Sequence, residues 1–284
     1  MLEVYYRLTK PGIIYGNALT ATAGFLFAAK WHVHFWLLLA TITGMCLVIA
    51  AACVFNNCID RDIDKSMART KKRALVTGAV SLRNALMFGV VLLAAGFTTL
   101  VLFTNKLVLL IGIGAFLDYV VLYGWSKRRS VWGTVVGSIS GAAPVAAGYI
   151  AVTDRIDMAA ALLFLILVLW QMPHFYAIAM YRLEDYKAAQ IPVLPAVRGL
   201  HATKVQILCY IAGFMAAVAA LTLFGYAGYS FLVAMGALGA AWLWKGVRGF
   251  RAANDTAWGR SMFLFSLIIV LALSVALSVG SVLA

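Results

Sequence analysis

The 284-residue chain has few charged residues and very few acidic ones. Charged residues make up 12% of the sequence, hydrophobic residues make up 64%, and only 10 residues are Asp or Glu. Soluble globular domains contain about 25% charged residues. The shortage of charge therefore excludes a soluble domain and indicates a protein that lies within a membrane.

Cysteine pairs and the common phosphate-binding signature are also missing. The four cysteines form no CxxC pair and mostly fall in apolar runs, so we interpret them as small buried hydrophobic residues. No GxxxxGK[ST] sequence occurs, which excludes a P-loop. The first residues carry no basic segment followed by a cleavage site, so we expect neither a cleaved signal peptide nor a mitochondrial presequence.

What the sequence does contain is a series of apolar runs long enough to cross a bilayer of about 30 Å. Within lipid the backbone must satisfy its own hydrogen bonds, which leaves helices or closed barrels. These runs are too long and too uniformly apolar for barrel strands. We therefore predict an all-α polytopic membrane protein that forms a single integral-membrane domain over 1–284. Its nine predicted transmembrane helices lie near 11–29, 34–57, 84–104, 107–125, 134–152, 158–180, 204–224, 228–245 and 261–283.

The basic residues are distributed unevenly between the two sides of the membrane. The N-terminal segment and the loops 58–83, 126–133, 181–204 and 245–260 hold 20 of the 23 Lys and Arg residues. The positive-inside rule places that side in the cytoplasm, with the N-terminus inside and the C-terminus outside. The bias is explained by topology, so the net charge of +13 does not indicate nucleic acid binding.

Two cytoplasmic loops, 58–83 and 181–204, are long and charged, whereas the loops on the other side are short. They follow the second and the sixth predicted helices, which is the spacing expected if a four-helix unit occurs twice. We expect both polar loops to meet over one central cavity.

The first polar loop opens with a regular row of oxygen-bearing side chains. Asn56, Asp60 and Asp64 are four residues apart and share one face if the helix continues, whereas Asp62 points the other way. Mg²⁺ prefers oxygen ligands and is typically held by one or two carboxylates together with substrate phosphates. Nearby Arg and Lys residues would bind phosphate oxygens. The alternative, a solvated loop that only sets topology, applies most to Lys71, Lys72 and Arg73.

A second row of residues runs from membrane depth toward the second polar loop. His174, Ile178, Tyr181 and Asp185 share one helix face, and ionisable groups at such depth usually face a cavity or a partner. For His174 the alternative is a neutral imidazole satisfied by a neighbouring helix. For Glu184 and Asp185 the alternative is that they lie in solvent at the start of the loop. Asp118 is a further intramembrane acid, for which we expect a buried hydrogen-bonded role.

The run 56–64 resembles the first aspartate-rich motif of the UbiA-type intramembrane prenyltransferases. Four further segments, 9–12, 137–144, 170–175 and 185–195, resemble the branch of that family that farnesylates heme. The resemblance covers nearly the whole chain. One departure from the wider family is that Ala189 stands four residues after Asp185, where many members carry a second aspartate, so Asp185 is assigned a supporting role.

The resemblance implies a nine-helix bundle around a central cavity and an activity in heme biosynthesis. In that activity, Mg²⁺-dependent transfer joins the farnesyl group of farnesyl diphosphate to a vinyl group of heme b. Water addition then gives heme O for terminal oxidases. Heme b is thus a substrate and not a prosthetic group. A heme A synthase or a terminal oxidase is the expected partner, and a bacterial inner membrane with cytoplasmic active-site loops is the expected location.

Roles for individual residues follow from the same resemblance and from charge. Metal binding is assigned to Asn56, Asp60 and Asp64, with Asp185 beside them in catalysis. Binding of the diphosphate is assigned to the cations Arg69, Lys72, Arg73, Lys127 and Arg128. The heme and prenyl pocket is assigned to His174, Tyr119, Tyr123 and Tyr181. His174 is either an axial ligand or a hydrogen-bond partner of a neighbouring helix or a heme propionate.

Two other functions are compatible with the pattern. Prenylation of a quinone precursor or another aromatic acceptor belongs to the same family. A secondary transporter also uses repeated helices and buried charges, but transporters rarely collect metal-binding and phosphate-binding groups in the loops of one face.

Overall fold

The computed structural model describes residues 2–280, and within that range the secondary structure is helical, with no strand. Nine helices of this range are long and apolar enough to cross a membrane, which confirms the predicted class and number. They are α1 (Pro11–Ala29), α2 (Phe35–Ile59), α3 (Leu82–Phe103), α4 (Lys106–Ser126), α5 (Gly133–Thr153), α6 (Met158–Tyr181), α7 (Leu194–Leu223), α8 (Tyr229–Arg248) and α9 (Asp255–Gly280).

Short helical segments lie before and between the long helices, at the end predicted to be cytoplasmic. They are Leu2–Leu8, Arg61–Asp64, Ala74–Thr77, Leu183–Ala188 and the 3₁₀ turn Gly249–Arg251. Within α4, the segment Asp118–Tyr123 is wound as a π-helix. Such segments insert one extra residue into a helix and occur frequently at functional sites.

The long helices form a closed ring. Each packs against the next in sequence, and α9 packs against α1. Further contacts join helices that are not neighbours in sequence, chiefly α1 with α5 and α6 with α9, and also α2 with α4 and with α5. The outward faces carry exposed aliphatic side chains such as Val91, Leu102 and Val233, as expected for surfaces that face lipid.

The crossing of α1 with α5 depends on two glycines. A Cβ atom added at Gly24 would lie 2.0 Å from the carbonyl oxygen of Val145, and one added at Gly148 would lie 2.0 Å from that of Ala21. Small residues let two helix backbones approach this closely in a membrane. This close crossing places α1 against α5, and both helices line the cavity.

Two predicted boundaries were wrong. The seventh helix begins at Leu194 rather than at 204, with a break at Gly199, and the second polar loop is correspondingly shorter. The ninth begins at Asp255 rather than at 261. Both errors arise from polar residues whose type is typical of loops. Lys204 is buried, donates to the carbonyl of Gly249 at 2.8 Å and forms an ion pair with Asp255 at 2.5 Å. Predicted helical residues 281–283 lie outside the described range.

Candidate active site

A cavity of about 640 Å³ lies inside the ring and reaches the end that holds the polar loops. Ligand cavities typically have volumes of 300–1,000 Å³. Side chains from α1, α2, α4, α5, α6 and α9 line it, together with residues of both polar loops. Its mouth is polar and its depth is mostly apolar and aromatic.

The row of oxygen-bearing side chains lies at the mouth. α2 ends at Ile59, but the backbone N–H groups of Asp60 and Asp64 still donate to the carbonyls four residues earlier, at 2.9 Å each. Asn56, Asp60 and Asp64 therefore stay on one face, and all three are buried and line the cavity.

Two lysines from distant segments reach the first two members of that row. Lys10 Nζ donates to Asn56 Oδ1 at 2.6 Å, and Lys127 forms an ion pair with Asp60. Both lysines line the cavity, and burial lowers the pKa of each, that of Lys10 to about 8. Positive charge is thus concentrated next to the acidic row.

Arg73 binds the third member of the row. Its Nη1 donates to Asp64 Oδ2 at 2.6 Å and to Asn57 Oδ1 at 3.2 Å. Asn57 in turn donates to the carbonyl of Leu8 at 2.8 Å. The loop that carries Arg73 is therefore tied to both α2 and the N-terminal segment.

The remaining predicted diphosphate-binding residues are placed differently. Arg69 lines the cavity. Lys72 is exposed and lies outside the cavity wall, because the turn at 70–73 directs Thr70 and Arg73 inward.

Arg128 also lies outside the cavity wall. It donates to both carboxylate oxygens of Asp62 at 2.9 Å and to the carbonyl of Ile59 at 2.6 Å. Its hydrogen bond lowers the pKa of Asp62. Asp62 thus points away from the row, as predicted. Arg128 binds the last residue of α2, Ile59, through its carbonyl.

Lys10 was not predicted as a site residue. It precedes Pro11 in the left-handed backbone region, with φ of 53°, and this directs its side chain to α2. Lys10 belongs to the segment 9–12 that carries the family resemblance and to the topological charges, but the sequence assigned it no role in the site. Its partner Asn56 is 46 residues away, so no local spacing links the two.

The donor set at the mouth fits Mg²⁺. It offers two buried carboxylates and one carboxamide oxygen, whereas the described residues contain no group of three His, Cys, Asp or Glu side chains that would form a complete protein cage. That is the pattern of an ion bound jointly by carboxylates and substrate phosphates. In addition, Asn56 Nδ2 is buried without a partner among the described residues, and a phosphate oxygen would satisfy this donor.

The second polar loop contacts the first. The backbone N–H of Ala68 donates to Asp185 Oδ1 at 3.2 Å, so the two loops meet, as expected. Asp185 itself does not line the cavity, whereas its neighbours Arg182 and Tyr186 do. Glu184 is exposed and pairs with Lys187 at 2.9 Å, as expected for a solvated loop start.

Two stacked tyrosines form part of the wall between the mouth and the depth of the cavity. The rings of Tyr119 and Tyr123 are 5.4 Å apart, and Lys127 Nζ lies 5.0 Å from the Tyr123 ring. Both belong to the π-helical segment, which begins at Asp118. Asp118 is buried and accepts a hydrogen bond from the backbone N–H of Ser140 at 3.1 Å, the role expected for it.

The depth of the cavity is built around His174. It lies seven residues before the end of α6, about 10 Å along the helix axis. Its ring stacks on Trp170 at 4.9 Å and packs against Phe263 at 5.0 Å. Its Nδ1 is 2.7 Å from Ser266 Oγ on α9, so a neighbouring helix does satisfy one ring nitrogen. Tyr181 also lines the cavity and contacts Phe263.

Comparisons with known proteins agree with this geometry. "Protoheme IX farnesyltransferase 2" of Chromobacterium violaceum is 52% identical over 97% of this chain and 92% of its own length. "Protoheme IX farnesyltransferase" of Sodalis glossinidius is 49% identical over 98% of this chain and 95% of its own length. That of Yersinia pseudotuberculosis is 48% identical with the same coverage, 98% and 95%.

Solved structures share the fold at low sequence identity. A digeranylgeranylglyceryl phosphate synthase matches with a TM-score of 0.82 and 18% identity, covering 100% of this chain and 99% of its own. A UbiA homolog from Archaeoglobus fulgidus, bound to GPP and Mg²⁺, matches with a TM-score of 0.70 and 16% identity, covering 99% and 100%. The family model of the UbiA prenyltransferases matches residues 17–268. The chain therefore belongs to the UbiA prenyltransferase family.

Proposed function

We propose that this protein farnesylates heme b, with Mg²⁺, farnesyl diphosphate and water as the other participants and heme O and diphosphate as products. The observation that carries the proposal is that one cavity joins two kinds of site. Its mouth holds the acidic row and the cations, and its depth holds a histidine among aromatic rings. Relatives of about half-identical sequence are called protoheme IX farnesyltransferases over nearly their full length, which supports the heme as acceptor.

At the mouth, Asn56, Asp60 and Asp64 would hold Mg²⁺, which supplies charge neutralisation to the diphosphate when it is bound. Lys10, Arg69, Arg73 and Lys127 line the same mouth. Fixed cations placed where negative charge develops lower the barrier, because they need no reorganisation during the reaction. These side chains therefore stabilise the diphosphate as its bond to the allylic carbon breaks.

The allylic carbon then becomes electron-deficient and must be kept from water. Tyr119 and Tyr123 offer aromatic faces in the cavity wall, and aromatic faces attract cations. The apolar depth excludes water from the reacting carbon. Both tyrosines thereby favour transfer of the farnesyl group over its hydrolysis.

The transfer balances as follows. The carbon–oxygen bond of farnesyl diphosphate breaks and its electron pair leaves with the diphosphate, while the vinyl π-electrons of heme b form the new carbon–carbon bond. The cation left on the inner vinyl carbon takes up a water oxygen, and one proton is released. Heme b reaches this position in the depth of the cavity, where Trp170, His174, Tyr181 and Phe263 provide flat surfaces for a porphyrin.

Three predicted site residues lie outside the cavity wall: Lys72, Arg128 and Asp185. Asp185 joins the two loops through Ala68, and Arg128 fixes the end of α2 beside Asp60. We therefore propose positioning roles for Asp185 and Arg128. No contact supports the predicted diphosphate-binding role of Lys72.

The location is proposed from charge. The chain is a multi-pass membrane protein, and 20 of its 23 basic residues fall on the side of the cavity mouth. We propose a bacterial inner membrane with the mouth facing the cytoplasm. Residues 1–284 would form one domain, built from a pseudo-repeat of four-helix units, that delivers heme O to a heme A synthase or a terminal oxidase.

The direct test is incubation of the purified protein with farnesyl diphosphate, Mg²⁺ and heme b. We expect a porphyrin heavier by one farnesyl group and one hydroxyl group, and we expect no product when Mg²⁺ is chelated. If heme b stays unchanged while an aromatic carboxylic acid is prenylated, the acceptor is a quinone precursor instead. If no acceptor is prenylated, the enzymatic proposal itself fails.

A further inference from the structure

Two short hydrogen bonds fix the protons of a pair formed by the partly buried His174 on α6 and the buried Ser266 on α9. Ser266 Oγ lies 2.6 Å from the carbonyl oxygen of Phe263 and 2.7 Å from His174 Nδ1. A carbonyl oxygen only accepts, so the hydroxyl proton of Ser266 must point at Phe263. The hydrogen between Ser266 and the imidazole is then supplied by His174, whose Nδ1 carries the proton.

Among the described residues the His174 ring contacts a serine and aromatic rings and no carboxylate, so the neutral imidazole is favoured, and in that form the other ring nitrogen is unprotonated. No described residue forms a hydrogen bond with Nε2, and the side chain lines the cavity. An unprotonated Nε2 is an acceptor of protons or a ligand for a metal ion, and it cannot donate to a carboxylate or a phosphate. A propionate group of heme and a diphosphate are both acceptors, so neither is a suitable partner.

Ser266 also holds the orientation of the ring. Its carbonyl accepts a hydrogen bond from Trp170 Nε1 at 2.8 Å, and Trp170 stacks on His174 with an interplanar angle of 28°. Phe263 contacts the imidazole from α9. Ser266 is fully buried, so these contacts are not shared with solvent. The imidazole is thus fixed in both tautomer and direction.

We infer that Ser266 is a positioning residue that presents His174 Nε2 to the iron of heme b as an axial ligand. The inference rests on the proposed function, since heme b must be the acceptor. Metal-bound histidines usually donate the other ring nitrogen to an oxygen, which fixes the tautomer and strengthens the ligand. Ligation at this depth would hold the porphyrin in one place while a vinyl group reacts.

The test uses full-length protein and ferrous heme b, without farnesyl diphosphate. The resonance Raman band of the iron–imidazole stretch reports both the ligand and the hydrogen bond at Nδ1. We expect the band in the unmodified protein, its loss in His174→Ala, and its return when imidazole is added to that variant. In Ser266→Ala we expect the band at lower frequency, because Nδ1–H has lost its acceptor, and heme affinity weaker by about 10-fold or more.

Ser274→Ala is the matched control. Ser274 is also buried on α9, two turns further on, and its hydroxyl bonds only the carbonyl of Val270 at 2.8 Å. We expect Ser274→Ala to leave the band unchanged. In Ser266→Thr, which keeps the hydroxyl, we expect the band at the frequency of the unmodified protein. Unaltered binding of farnesyl diphosphate shows that each variant is folded.

The outcomes separate the two claims. If the unmodified protein does not bind heme b, the proposed function fails. If heme b binds and His174→Ala leaves its spectrum unchanged, the ligand assignment is wrong while the farnesylation proposal stands. If the band is present but Ser266→Ala does not shift it, the positioning role of Ser266 is overturned.

Discussion

The two ends of the cavity differ in the kind of contact they make. At the mouth, each oxygen-bearing side chain of the row meets a cation from a different part of the chain. In the depth, a single imidazole is held between aromatic rings, and no carboxylate or cation is among its recorded contacts in the described residues. The mouth thus offers charged groups, and the depth offers flat, apolar surfaces, which is the basis for the proposal that the two ends bind different substrates.

The two kinds of contact lie at opposite ends of one cavity and involve different residues. Substitutions at the two ends should therefore have separable effects.

The largest expected effect is at the acidic row. Asp60→Ala removes a buried carboxylate and leaves Lys127 without its partner. We expect farnesyl transfer to fall by about 1,000-fold or more, because the electrostatic stabilisation of the leaving group is lost. Steady-state rates and heme affinity are measured together, and heme affinity should be nearly unchanged. Asp62→Asn, on the exposed side of the same turn, serves as the control. Near-normal turnover in Asp60→Ala would remove the row from the metal site.

The next effect is at Lys10, the cation that reaches Asn56. Lys10→Ala should weaken the binding of farnesyl diphosphate by about 10- to 100-fold, the range for a charge-assisted hydrogen bond of 1.5–3 kcal/mol. Lys71→Ala provides a matched loss of charge at an exposed loop position. Equal effects of the two substitutions would mean that only the overall positive charge matters, contrary to the geometry.

A structural effect is expected at the wall between the two ends. Asp118→Leu removes the hydrogen bond that Asp118 accepts from the Ser140 N–H, and a bond of this kind contributes about 0.5–1.5 kcal/mol. We expect a lower thermal midpoint in detergent, and a smaller loss for Asp118→Asn, which keeps one acceptor oxygen. An unchanged midpoint in Asp118→Leu would show that the π-helical segment does not depend on this bond.

The smallest effect is expected where the polar loops meet. Asp185→Ala removes the acceptor of the Ala68 N–H at a partly exposed site. A hydrogen bond of this kind contributes about 0.5–1.5 kcal/mol, so we expect KM for farnesyl diphosphate to rise by about 2- to 10-fold. The exposed neighbour Glu184→Ala should change KM by less. A loss as large as that of Asp60→Ala would instead place Asp185 at the reacting atoms.

The sequence predicted the parts of the site that depend on local spacing. The row Asn56, Asp60 and Asp64 follows from helical periodicity alone, and the helix count follows from hydropathy. Lys72 and Arg73 are adjacent and chemically alike, and only the turn that buries Thr70 separates their directions.

The parts that could not be predicted depend on contacts between distant helices. Lys10 reaches Asn56 only because α1 lies beside α2, and Ser266 reaches His174 only because α9 packs on α6. A serine in an apolar helix has no local pattern that marks it as a partner. The early starts of α7 and α9 were missed for the same reason, since the charge of Lys204 is satisfied by Gly249 and Asp255.

The central claim, that the two ends bind different substrates, is tested most directly by measuring both affinities in two variants of the same protein. Isothermal titration of Asp64→Asn and His174→Ala with farnesyl diphosphate plus Mg²⁺, and separately with heme b, provides the four values. We predict that Asp64→Asn loses affinity for the diphosphate by 10-fold or more and keeps heme binding, and that His174→Ala does the reverse, by about 10-fold or more. Equal losses of both ligands in both variants would contradict the account.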